Sequence, residues 1–255
     1  MKLIKYKINP KYKDTLEEFV LNIKEHFLAN TQTIHKARNE LKIIKYNNIE
    51  LVVKAFKIPN IVNKFAYSYI RNSKAKKSFL NAMILMQKDV NSPSPIAYIE
   101  FYDNSLLKES FFISLHYKHD FLIREPLYEA SFENREKIIK QFAAFTYSLH
   151  KKDIFHKDYS AGNTLVKKID DNSYEFSIVD INRMEFKRVD LKLAMQNFNK
   201  LWANETTLEL IAREYSKVSK QNEKECIQII LEEDKKLKDF VLRRRRIKAF
   251  FKGKK

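Results

Sequence analysis

The sequence predicts an α+β fold of two lobes: a small β-rich N-terminal lobe over residues 1–117 and a larger, mainly helical C-terminal lobe over 118–241. A basic tail, 242–255, follows. Two observations predict it. Runs of β-branched and apolar residues gather before residue 117, and helical periodicity dominates from Ser131 onward. At 255 residues the chain accommodates one good core or two small lobes, which excludes a long multidomain machine. Its 44% hydrophobic and 13% aromatic content is that of a folded globular protein, with only the C-terminal end compositionally loose.

Leu41–Tyr46 and Glu50–Phe56 are strand-like and flank Asn47-Asn48, a two-residue turn signal, so they form a hairpin. Ser73–Gln87 places Ala75, Phe79, Ala82, Met83 and Met86 on one stripe of an amphipathic helix, ended by Asn91-Ser92-Pro93-Ser94-Pro95. Strands at Ile96–Tyr102 and Phe111–Tyr117 are joined through Asp103-Asn104-Ser105. The first half therefore reads as a sheet crossed by one helix. From Ser131 to Lys152 a long helix carries Ile138, Phe142, Phe145 and Leu149 on one face, with early acids Glu133 and Glu136 and terminal lysines matching the helix dipole. A short hairpin pairs Thr164–Val166 with Tyr174–Val179 around Asp170-Asp171-Asn172, and from Asp190 the pattern is helical almost to the end.

Forty-nine basic residues against 32 acidic ones give a charge of +17, which attracts polyanions: nucleic acid, anionic lipid or phosphorylated substrates. Charge alone does not choose among them. No base-reading motif accompanies the basic residues, so specific nucleic-acid binding is not expected. No run approaches the ~20 apolar residues that cross a bilayer, and the first seven residues lack a secretory apolar stretch. A cytoplasmic protein is expected. The single cysteine, Cys226, excludes an internal disulfide and is expected to be a half-buried helix residue.

Between the long helix and the second hairpin lies Phe155-His156-Lys157-Asp158-Tyr159-Ser160-Ala161-Gly162-Asn163, and beyond that hairpin lies Ser177-Ile178-Val179-Asp180-Ile181-Asn182-Arg183. This is the pattern of a protein-kinase-like catalytic loop followed by its metal loop. Phosphoryl transfer asks little covalent chemistry of a protein. It needs an aligned acceptor hydroxyl and cations over the phosphates of ATP. Asp158 is placed to orient or accept the hydroxyl proton, while Asn163 and Asp180 offer hard oxygens to Mg2+. His156 is read as a hydrogen-bonding brace. Upstream, Leu51-Val52-Val53-Lys54 resembles the strand lysine that holds the nucleotide's phosphates, with Lys57 as its competitor. Alternation puts Lys54 on the face of Val52 and Phe56.

The stretches Val52–Asn60, Phe155–Asn163 and Val179–Met184 together resemble the lipopolysaccharide kinase family, with similarity from about Leu41 to about Tyr215. The resemblance implies ATP- and Mg2+-dependent phosphorylation of a Kdo or heptose hydroxyl on an anionic lipid A-core acceptor, with peripheral contact at the cytoplasmic face of the inner membrane. Ser160 stands where protein kinases carry a phosphate-contacting lysine, which favours a small-molecule acceptor. Arg183 suits a substrate phosphate or carboxylate, or an ordinary salt bridge. Residues 242–252 combine a basic cluster with aromatics, as an anionic interface demands or as the frayed end of the last helix would show.

Two features depart from the wider kinase pattern. No glycine precedes Lys54, so side chains of Gln32, Thr33, His35, Lys36 or Arg38 are the candidates to cover the phosphates. No acid lies between Glu50 and Asp89, so the helix from Ser73 cannot supply the usual partner of Lys54, and either Asp180 neutralises it directly or another element replaces the helix in this role. Two other readings stay open: a kinase with another small-molecule or a protein acceptor, and a weakly active or pseudokinase anion-binding scaffold.

Overall fold

The computed structural model describes residues 2–36, 39–56 and 71–252, and the chain divides into two compact units. One comprises Met1–Lys118 with Asp180–Arg183, the other His119–Val179 with Met184–Lys255. Strands and helices are mixed as the α+β reading expects.

The first unit is built on an antiparallel six-stranded sheet in the order β1-β5-β6-β4-β3-β2. Its strands are β1 (Lys2–Ile8), β2 (Thr33–Lys36), β3 (Asn39–Tyr46), β4 (Ile49–Phe56), β5 (Pro95–Asp103) and β6 (Leu106–Leu115). Asn47 and Asn48 both adopt positive φ, 46° and 63°, the geometry of a tight turn whose twist matches the strands it joins. Asn104 and Ser105 repeat it between β5 and β6. One face of the sheet packs Ile44, Leu51, Val53, Ile99 and Ile113 against Leu16, Phe19, Val20, Ile23 and Phe27. Those five belong to α1 (Lys13–Leu21) and α2 (Ile23–Ala29). The other face sets Phe56 and Tyr98 against Ala75 and Phe79 of α3 (Lys74–Gln87), a helix capped by the Ser73 hydroxyl accepting from Lys76 N–H.

The sheet is therefore crossed by more than the one helix expected. The stripe of α1 and α2 is split at Asn22, where the chain leaves helical geometry. β1 has every residue but Ile8 exposed, so its lysines mask the alternation. Gln32 and Thr33 enter the edge of the sheet as exposed residues, the side chains of His35 and Lys36 are not described, and Lys57 and Arg38 lie outside the described residues.

In the second unit β7 (Phe121–Leu122) and α4 (Arg124–Tyr128) precede α5 (Arg135–Lys151). α5 starts four residues later than expected, because Asn134 is left-handed at φ 55°. Ile138, Phe142 and Leu149 are buried as the stripe predicts, and Phe142 stacks on Tyr159. Phe145 is only half-buried, over Phe176. β8 (Ile154–His156), β9 (Thr164–Lys168), β10 (Tyr174–Ile178) and β11 (Met184–Phe186) surround the loops. Strand β9 lies between β10 and β7, while β8 pairs with β11. The chain ends in α6 (Leu191–Asn197), α7 (Glu205–Ser219) and α8 (Glu223–Lys252). Cys226 is fully buried rather than half-buried, and burial raises its thiol pKa. α8 continues through the basic segment to Lys252, with Leu242, Ile247 and Phe250 exposed.

His150 of α5 is buried between the Tyr215 hydroxyl and Asn197 Oδ1, each at 3.0 Å, and burial pushes its pKa from 6.5 down to about 4. The folded value lies below the unfolded one, so the unfolded chain binds the extra proton between these pH values. His150 therefore contributes its full stability above about pH 6.5 and loses it as pH falls toward 4, by up to about 3 kcal/mol. Urea midpoints measured from pH 7 to 4 should show this fall, and His150→Gln should flatten it.

Candidate active site

The candidate catalytic loop grows out of β8 and returns into β9, and it is held by its own polar groups. His156 is buried, and its Nε2 donates to Val179 O at 2.9 Å while its Nδ1 accepts the Asp158 N–H at 3.2 Å. This bonding suits one neutral tautomer of the ring, so the brace needs no charge. Asn197 Nδ2 donates to His156 O at 2.9 Å, tying the loop to the His150 network. Ser160 N–H donates to Asp158 O at 2.8 Å, and Asn163 N–H to Ser160 O at 2.9 Å, so the loop closes as successive turns. Asn163 Nδ2 also donates to Asp158 O at 2.8 Å, which fixes the amide and leaves its oxygen as the other end. A Cβ at Gly162 would meet nothing within 4 Å, so the glycine is not demanded by space.

Lys200 is a residue that sequence reasoning missed. Its Nζ donates to Lys157 O at 2.6 Å and lies 3.3 Å from Asp158 Oδ1. It comes from a 3-10 turn, Phe198–Leu201, 42 residues beyond Asp158, and no local pattern marks it.

The candidate metal loop belongs to the other unit. Asp180 has φ 54°, a costly backbone state for a residue with a Cβ, and the 3-10 turn Ile181–Arg183 follows it. Asp180 Oδ1 accepts Lys54 Nζ at 2.6 Å and Asn182 Nδ2 at 2.7 Å. Lys54 is no solvated edge residue: β4 lies between β3 and β6, and its side chain is 12% exposed, beside the Phe56 ring. The acid missing from α3 is thus replaced at Lys54 by Asp180. Asn81 of α3 reaches the same loop, its Nδ2 donating to Ile181 O at 2.7 Å. Arg183 ends the turn as an exposed residue.

The structure brings Lys54 together with Asp180 in one unit, and Asp158, His156, Ser160 and Asn163 together in the other. Val179, whose N–H donates to Asn163 O at 3.0 Å, is the residue before Asp180 in the chain. A carboxylate and an amide oxygen are hard donors, the chemistry that fits Mg2+ when nucleotide phosphates and water complete its shell. Among the described residues no group of three or more His, Cys, Asp or Glu is arranged for a metal, a set a nucleotide-borne Mg2+ does not need. No described helix is long and apolar enough to cross a membrane.

Comparison with known proteins adds three findings. No curated protein matches the chain. The solved structure described as WaaP in complex with acyl carrier protein is similar to it with a TM-score of 0.61 at 11% identity, over 92% of this chain and 98% of that one. The model of the lipopolysaccharide kinase (Kdo/WaaP) family matches residues 116–222, which include both loops but not Lys54. The fold is thus the kinase-like fold of WaaP, and residues 116–222 are similar to the lipopolysaccharide kinase (Kdo/WaaP) family.

Proposed function

We propose that this protein is an ATP-dependent kinase that phosphorylates a sugar hydroxyl, Kdo or heptose, of the lipopolysaccharide inner core. The observation that carries the proposal is the loop His156–Asn163, braced by its own hydrogen bonds within the family-matched segment. In this reading Asp158 orients the acceptor hydroxyl and takes its proton. Lys54 holds the nucleotide phosphates, and Asn163 and Asp180 hold Mg2+. Bound Mg2+ would neutralise charge developing on the phosphates. His156 positions the loop, Ser160 leaves room for a small acceptor, and Arg183 faces the anionic substrate. The pairing of Lys54 with Asp180 supports activity, because the lysine has an anionic partner without a helix acid.

The acceptor is anionic and membrane-borne, which gives the +17 surplus a use. We place the protein peripherally on the cytoplasmic face of the inner membrane, with Arg243–Arg246 and exposed Phe250 at the lipid. The test is incubation with ATP, Mg2+ and Kdo-lipid A, in detergent and in anionic vesicles. Transfer to the Kdo-lipid is expected, and replacing Arg243–Arg246 by Gln should slow it at least tenfold in vesicles only. Transfer to an unrelated small molecule or a protein hydroxyl instead would reject the acceptor.

A further inference from the structure

We infer that Asn81 is the positioning residue of the metal loop: its side-chain amide on α3 holds the turn after Asp180 and so keeps the Asp180 carboxylate against Lys54. The inference rests on the kinase reading and assigns a role to a residue that no motif contains. Asp180 Oδ1 takes both the Lys54 ammonium and the Asn182 amide while its backbone stands at φ 54°. Aspartate enters that conformation more readily than most residues with a Cβ, and contacts that fix the following turn hold it there. Ile181 O belongs to the next residue, and Asn81 Nδ2 binds it at 2.7 Å across a separation of 100 residues. The amide thus anchors the chain one residue beyond the carboxylate it must aim.

The residue type fits this task. A carbonyl acceptor needs a donor, which a carboxylate at position 81 would not be, and its charge would repel the Ile181 carbonyl oxygen it stands against. Asparagine is also a poor choice for the interior of a helix, where alanine or leucine is favoured. It stands mid-helix in α3, half-buried, and spends its donor on a contact outside the helix. Its cost to the helix and its use to the loop can therefore be separated by experiment.

The variants are Asn81→Leu, Asn81→Ala, Asn81→Asp and Asn81→Gln, each in the full chain. Leu matches the shape of Asn without the donor, so both Leu and Ala should leave Tm unchanged or raised. Affinity for Mg–ATP, measured by calorimetry, should fall at least tenfold in both. Hydrogen exchange should quicken at the amides of Asp180–Met184. Asn81→Asp should bind more weakly than Asn81→Leu, and Asn81→Gln, which keeps a donor, should recover part of the loss. Wild-type affinity with unchanged exchange in Asn81→Leu would overturn the assignment and leave the kinase reading standing. A Tm that falls in step with affinity would reduce Asn81 to a fold residue and overturn it too. A wild type that binds no Mg–ATP would overturn the kinase reading and this inference together.

Discussion

Asp158→Asn is expected to lower phosphoryl transfer by about 10³-fold, roughly 4 kcal/mol of barrier, while Mg–ATP binds as in the wild type. The substitution keeps shape and removes the ability to accept a proton. The loop should survive it, because the bonds that close the loop use Asp158's backbone: its N–H donates to His156 Nδ1, and its carbonyl accepts from Ser160 and Asn163. One side-chain contact placed at risk is with Lys200 at 3.3 Å, and a pair about one-third exposed on each side contributes little to folding. Single-turnover transfer and calorimetric binding, measured on the same preparation, separate the two effects. Equal turnover of variant and wild type would exclude Asp158 as the base.

The features legible in the sequence are those with local causes. Asn47-Asn48 marks a hairpin because two consecutive positive-φ positions suit asparagine, and the predicted pairing of Leu41–Tyr46 with Glu50–Phe56 is found in register. The stripe of α5 and the order of the two loops were legible for the same reason. Missed features have distributed or distant causes. The helical stripe of residues 13–29 is broken at Asn22, and β1 hides an edge strand among lysines. The start of α5 was misplaced because the chain turns left-handed at Asn134, which composition does not reveal. At the site, the absence of an acid in α3 was legible and pointed to Asp180 as one candidate partner of Lys54. Asn81 and Lys200 were not, since a contact formed across 100 or 42 residues leaves no periodicity behind.

The Lys54–Asp180 pair predicts the second large effect, and the sizes of its two consequences should differ. As a structural ion pair it is modest on the Asp180 side: that carboxylate is 32% exposed, so Asp180→Asn, which keeps an oxygen for Lys54, should shift unfolding by no more than about 1 kcal/mol. As a binding device it should matter far more. Asp180→Asn keeps an oxygen for Lys54 and Asn182 but removes the charge that a divalent cation requires, so Mg2+-dependent ATP affinity should fall at least 100-fold, close to 3 kcal/mol. Lys54→Met should weaken ATP binding at least tenfold with or without Mg2+, because a phosphate-holding cation acts on the nucleotide directly. Each side chain also positions the other through their direct contact, so the double variant should lose clearly less than the two single losses combined. Calorimetry across this cycle, with and without Mg2+, decides the matter. Losses that simply add would mean that the two side chains serve separate ends, and the 2.6 Å contact would then be only a salt bridge.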